Sequence, residues 1–172
     1  SVRCLVIHPG IVGDRGPSAL DWAVQDGETD WGATVLQANA VMDAGDIWAT
    51  AEFPMRAASK GSLYRDEVTE AAVTAVRAAL ERIAAGTAAT SLLQWVGSRG
   101  HQRPLMRQAD RAIDWHHETT DVVLRKLRAA DGVPGVLDRI LDVDGHCYDA
   151  HPEHLLRGPP GEVIAQRYQA IC

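Results

Sequence analysis

Two residues suited to proton transfer stand beside glycine-rich turns early in the chain. His8 closes the apolar run L-V-I-H, and Asp43 opens the turn D-A-G-D. An imidazole changes charge near neutral pH, so a histidine at a strand end can give or take a proton. A hydrogen-bonded histidine that merely ends a strand fits the position equally well. Asp43 and Asp46, three apart around Gly45, can hold a cation, polarise a histidine or close the turn. The loop after His8 carries Gly10, Gly13 and Gly16. It has no lysine and neither P-loop nor G-x-G-x-x-G spacing, so it does not read as a phosphate cradle.

Two other groups invite a chemical reading and have plainer ones. H-C-Y-D-A-H-P-E-H, residues 146–154, holds possible zinc ligands, but its spacing matches no usual structural zinc pattern and Pro152 divides it. A solvated loop is the expectation there, and no metal is assigned. His116 and His117 beside Trp115 read as surface residues. Arg99, Arg103, Arg107 and Arg111 recur every fourth residue. Gly100 and Pro104 interrupt any single helix through them, so the expectation is solvated charge on a linker.

The elements that must position His8 and Asp43 follow from patterning. Residues 2–7 are apolar except Arg3, short and stopped by H-P-G, which predicts a strand covered on both faces. Cys4 within it reads as a small core residue. Gly16-Pro17-Ser18 predicts a helix start, with proline in the first helical position. Leu20, Ala23 and Val24 form its apolar stripe and Gly27 its end. Strands are predicted over 33–38 and 47–54, with the 42–46 turn between them. Residues 62–85 predict a long helix with Leu63, Val73, Val76, Leu80 and Ile83 inward, stopped at Gly86. After a breaker-rich stretch, Thr119 or Thr120 caps a helix to about Ala130, and short strands and turns follow from Val136.

The 172 residues suit one domain or one domain with an annex. Hydrophobic residues at 46% and charged residues at 23% describe a globular chain. A net charge of −6 argues against a general nucleic-acid coat, which is usually basic. Three scattered cysteines, Cys4, Cys147 and Cys172, suggest reduced thiols. No apolar run approaches a membrane span, and no leader pattern is present, so a cytoplasmic location is expected. The chain begins at Ser1 with a core-like strand immediately after it and stops in mid-pattern at Cys172. A piece of a longer polypeptide is expected.

Taken in order, His8-Pro9, Arg15-Gly16, Trp22-Ala23-Val24, Gly32-Ala33-Thr34-Val35 and Met42-Asp43-Ala44-Gly45-Asp46-Ile47 resemble the catalytic half of the folate-dependent formyltransferases. Arg111-Ala112-Ile113-Asp114-Trp115 and Val133-Pro134-Gly135 resemble the C-terminal β annex of the methionyl-tRNA members. The wording H-P-G-I-V-G-D-R-G-P-S-A-L-D-W-A-V, M-D-A-G-D-I-W and Y-D-A-H-P-E is closest to the branch of that family that serves hydrogenase maturation.

The resemblance implies an α/β fold: the second half of a Rossmann-like formyltransferase sheet, then a linker and a small β-rich, OB-like annex. It implies a catalytic half over 1–90, a linker over 91–108 and an incomplete annex over 109–172. The first half of the domain would precede residue 1, and a hydratase-like domain would follow residue 172. The implied chemistry moves a formyl group from N10-formyltetrahydrofolate to a nucleophile. In this branch the acceptor is coenzyme A, on the way to the carbon monoxide ligand of [NiFe]-hydrogenase. His8 and Asp43 fall on the catalytic histidine and aspartate, and the backbone of Val41, Met42 and Asp43 on the pterin-contacting turn. The isolated chain is expected to be inactive.

Formyl transfer passes through a tetrahedral oxyanion, which a hydrogen-bond donor or cation must hold. The family's asparagine two residues before the histidine is Val6 here, so Arg15 or a backbone N–H near Gly10 is the candidate replacement. The turn also lacks the acidic pair of its branch, with Ala40-Val41 at those positions. Two alternatives remain. A methionyl-tRNA formyltransferase would want a basic annex, but residues 96–172 hold 10 Lys or Arg against 11 Asp or Glu. A non-catalytic remnant or binding module is the other.

Overall fold

The computed structural model describes residues 2–132, 134–168 and 170–172. Val133, one residue of the annex motif, lies outside them. The chain is mixed α/β. Strand β1 is Leu5–His8, β2 is Asp30–Gln37 and β3 is Ile47–Pro54. They form one antiparallel sheet in the order β1-β2-β3, with His8 opposite Thr34 and a bulge between Val35 and Leu36. Trp31 to Leu36 are all buried, as a central strand's side chains must be.

The first strand differs from its prediction. Val6 and Ile7 are exposed, and β1 pairs only with β2, so it is not covered on both faces. Cys4 lies before the strand and is exposed, not a core residue. Its carbonyl accepts the Ala38 N–H and the Gln37 side chain, which anchors the far end of β2.

Helix α1, Ala19–Asp26, buries Ala19, Leu20, Ala23 and Val24 and ends at Gly27 with φ 74°, the left-handed cap that glycine adopts without strain. Pro17 precedes this helix. Ser18 occupies its N-cap, yet its hydroxyl accepts the Met106 N–H and caps nothing. Helix α2, Lys60–Leu63, is capped by Ser59. It runs through a π-helical turn over Tyr64–Val68 into α3, Thr69–Ala84. The buried face of α3 is Ala71, Ala75 and Ala79, while Val73 and Leu80 stand exposed. Of the expected stripe, Leu63 is buried and Val76 and Ile83 pack against the core, so only Val73 and Leu80 depart from it. Alanines let the helix axis approach the sheet, where Ala75 and Ala79 pack against Val35, Trp48 and Ala49. The π turn adds the residue that brings Leu63 and Val68, five apart, into one core with Trp31 and Leu20.

Helix α4, Thr120–Ala130, is capped by the Thr119 hydroxyl and packs on α1, with Ala129 in the core shared by Leu20 and Trp31. Val123, Leu127 and Ala130 cover Val136 with Ile113 and Trp115. Four short strands follow: β4 Val136–Ile140 with β5 Val143–Cys147, and β6 Gln166–Arg167 with β7 Ala170–Ile171. These are two separate two-stranded sheets. Among the described residues they do not close into the OB-like form. No helix among these residues is long and apolar enough to cross a membrane.

Candidate functional site: a histidine between two carboxylates

His8 ends β1 with its side chain 4% exposed. Asp43 lies in the β2–β3 connection at φ 53°, a left-handed conformation that aspartate tolerates better than most residues. Two strands ending at one edge of a sheet would bring them together directly. The sheet is antiparallel, so the C-terminal ends of β1 and β2 lie at opposite edges, and Gln37 pairs with Leu5. The contact is made by the connection itself, residues 38–46, folding back toward His8. Gly45 permits this, since a Cβ there would stand 1.7 Å from the Gln37 carbonyl oxygen. Asp43 Oδ2 then lies 3.4 Å from His8 Nδ1 and accepts the Gly16 N–H at 3.1 Å.

The opposite ring nitrogen meets a residue that patterning did not select. Asp14 Oδ1 lies 3.1 Å from His8 Nε2, and the Asp14 side chain is fully buried. Arg103 stands behind it, its Nε 3.4 Å from Asp14 Oδ2. Arg103 is itself buried, also pairs with Asp26 and Glu28, and lies over the Trp31 ring. The reading of the arginine series as solvated linker charge is therefore corrected for Arg103 and for Arg111, which pairs with the partly buried Asp21. Arg99 does sit at the surface, paired with Glu52.

The loop between His8 and α1 is held from both sides. Trp31 Nε1 donates to the Pro9 carbonyl and Thr34 Oγ1 to the Gly10 carbonyl. The Val12 carbonyl accepts from Ser98 Oγ and the Gly100 N–H, and Arg15 exchanges backbone bonds with His101 and Arg103. Residues 98–103 thus run along the glycine loop as a strap. Gly16, at φ 121°, passes so close to it that a Cβ would stand 2.1 Å from the Arg103 carbonyl oxygen.

Val41 and Met42 expose their side chains beside Asp43. The Val41 N–H donates to Asn39 Oδ1, and its carbonyl accepts the Ala44 N–H. Val6 lies on β1 opposite Leu36. The histidines of the 146–154 segment do not join this site. His151 pairs with Asp149 at the surface, and no metal-holding cluster occurs among the described residues. The His117 ring donates to exposed Asp114, whose carboxyl is held below its usual range by that bond.

The comparisons with known proteins agree with this architecture. No protein-family model matches the chain. It is 53% identical along all 172 residues to the hydrogenase maturation factor HoxX of Bradyrhizobium diazoefficiens, of which it spans 30%. It also superposes on the crystal structure of HypX from Aquifex aeolicus in complex with tetrahydrofolic acid, with a TM-score of 0.86 and 45% identity. That match covers 99% of this chain and 29% of the HypX chain. Along its whole length the chain is thus similar to one part of the HypX/HoxX hydrogenase maturation factors. Methionyl-tRNA formyltransferase of Bordetella bronchiseptica is more distant, 28% identical over 98% of this chain and 54% of its own length. A likely sugar N-formyltransferase of Mycobacterium tuberculosis shares the fold at a TM-score of 0.67 and 23% identity. The chain therefore corresponds to about a third of its HypX/HoxX relatives and about half of the methionyl-tRNA formyltransferases.

Proposed function

We propose that the polypeptide carrying this chain transfers a formyl group from N10-formyltetrahydrofolate to coenzyme A, in making the carbon monoxide ligand of [NiFe]-hydrogenase. His8 and Asp43 act at the reacting carbon. The observation that carries this reading is the pairing of His8 Nδ1 with Asp43 Oδ2, 3.4 Å apart at the rim of an exposed turn. The tetrahydrofolate bound to the Aquifex relative supports the donor class.

The acceptor thiol adds to the formyl carbon, and the carbonyl oxygen takes up the negative charge. His8 Nδ1, on taking up a proton, is placed to stabilise that oxygen, in a site where little water screens the interaction. The proton leaving the thiol is taken up on the carboxylate side, by Asp43 directly or through water. The carbon–N10 bond then breaks, and N10 accepts a proton as tetrahydrofolate departs. The exposed Val41-Met42-Asp43 turn offers backbone and apolar contact to the pterin.

In this reading residues 1–90 are the catalytic half, 91–108 connect it to the incomplete annex of 109–172, and a hydratase-like domain belongs to the same cytoplasmic polypeptide. The test is direct. The full-length polypeptide, given N10-formyltetrahydrofolate and coenzyme A, should release tetrahydrofolate and form formyl-coenzyme A. Formylation of methionyl-tRNA in its place would favour the tRNA reading. No turnover with either acceptor would leave a binding module.

A further inference from the structure

The environment of His8 Nε2 deepens that reading and rests on it. We propose that Asp14 is a positioning residue: its buried carboxylate holds the proton of His8 on Nε2, so that Nδ1, facing Asp43, is the nitrogen at which protons arrive and leave.

The argument starts from what each atom can do. A carboxylate only accepts hydrogen bonds, and His8 Nδ1 makes no hydrogen bond to Asp43, so the neutral ring's hydrogen belongs on the nitrogen hydrogen-bonded to Asp14 Oδ1 at 3.1 Å. That contact is sealed. The Asp14 side chain is fully buried, and a Cβ on Gly10 would stand 2.3 Å from Nε2 and 3.0 Å from Asp14 Oδ1. Neither a substrate nor an acceptor has room to reach Nε2. Nδ1 differs. It lies 3.4 Å from Asp43 Oδ2, whose own proton donor is the Gly16 N–H, and Asp43 retains some exposure. The Nδ1 side is thus the side open to chemistry.

The charges around the pair are few. Asp14 and Asp43 face His8, and Arg103 faces Asp14 from the strap. Asp26 and Glu28 face Arg103 from the end of α1 and the loop after it. Arg103 brings a positive charge to Asp14 without competing for Oδ1, because it stands against Oδ2 and forms no aligned hydrogen bond there. A base oriented by a buried acid through its second nitrogen is a recurring solution in acid–base catalysis, reached here with glycine loop residues and not with the Asp43 turn.

The experiment uses the full-length polypeptide with Asp14→Asn, together with 15N spectra of its histidines, His8 being assigned by its absence in His8→Gln. An asparagine keeps the shape but can donate to Nε2 and so move the proton to Nδ1. The expected result is a wild-type neutral ring protonated on Nε2, and a variant whose kcat falls about 10²–10⁴-fold, the usual worth of acid–base catalysis, with the KM for the formyl donor little changed. A wild-type neutral ring protonated on Nδ1 overturns the proposal whether or not the variant folds. So does a folded Asp14→Asn with wild-type kcat. Should His8→Gln and Asp43→Asn also retain full transfer, the formyltransferase reading itself fails. Should they alone lose it, only the role of Asp14 does.

Discussion

His8 and Asp43 are 35 residues apart in sequence (43 − 8) and 3.4 Å apart in space, between Nδ1 and Oδ2. The Gly16 N–H donates to that same Oδ2, so the aspartate is aimed by the loop that follows the histidine. Two loops on either side of β2 thereby fix one another.

Replacing either residue should therefore cost transfer and not folding. Asp43→Asn or His8→Gln in the full-length polypeptide is expected to lower formyl transfer by about 10²–10⁴-fold, the range for a lost proton-transfer or oxyanion partner. Circular dichroism and thermal melts should match wild type. Wild-type rates from both folded variants would remove these residues from the mechanism.

Gly10 tests the close approach without removing a polar group. Gly10→Ala places a methyl 2.3 Å from His8 Nε2, so the ring must turn or shift. Transfer should fall while expression and secondary structure persist. Unchanged steady-state kinetics would show that the ring position is not tightly set.

Arg103 is a stability residue. Its guanidinium is buried among Asp14, Asp26 and Glu28. Arg103→Met removes the cation and leaves Asp14 uncompensated, a loss of about 3–5 kcal/mol for a broken buried pair. Denaturant melts measure it. A change below about 1 kcal/mol, the worth of a surface pair, would place Arg103 in water.

The alanine face of α3 predicts an inverted size rule. Ala75→Leu, at a fully buried position against Val35 and Trp48, should destabilise the fold by about 1–3 kcal/mol or prevent folding. Leu80→Ala on the exposed side should cost less. The opposite order in thermal melts would mean the helix is rotated.

The thiols should react in order of exposure. Burial, and secondarily Asp138, pushes the Cys147 thiol up from its ordinary value. A raised value means less thiolate at a given pH, and the thiolate is the nucleophile. At pH 8 a disulfide reagent should modify exposed Cys4 and Cys172 first and Cys147 last. Equal rates would show that the hairpin opens freely.

What the sequence by itself determined were the local features. The strand expected over 33–38 and observed over 30–37, the strand of 47–54, the C-terminal ends of α1 and α4, and the Asp43 turn follow from apolar periodicity and from Gly, Thr and Asp at fixed offsets, which act over a few residues. His8 and Asp43 were legible as types in suitable places. The tertiary structure decided how they meet. Antiparallel pairing sends the ends of β1 and β2 to opposite edges, and a folded-back connection restores the contact. It also chose the alanine face of α3, because helix–sheet distance rewards small side chains where periodicity alone favours large ones. Asp14 and Arg103 are 89 residues apart (103 − 14), and no spacing rule links them. Only the strap of residues 98–103 against the glycine loop turned an acid in a turn and an arginine in an apparent linker into the charged backing of His8.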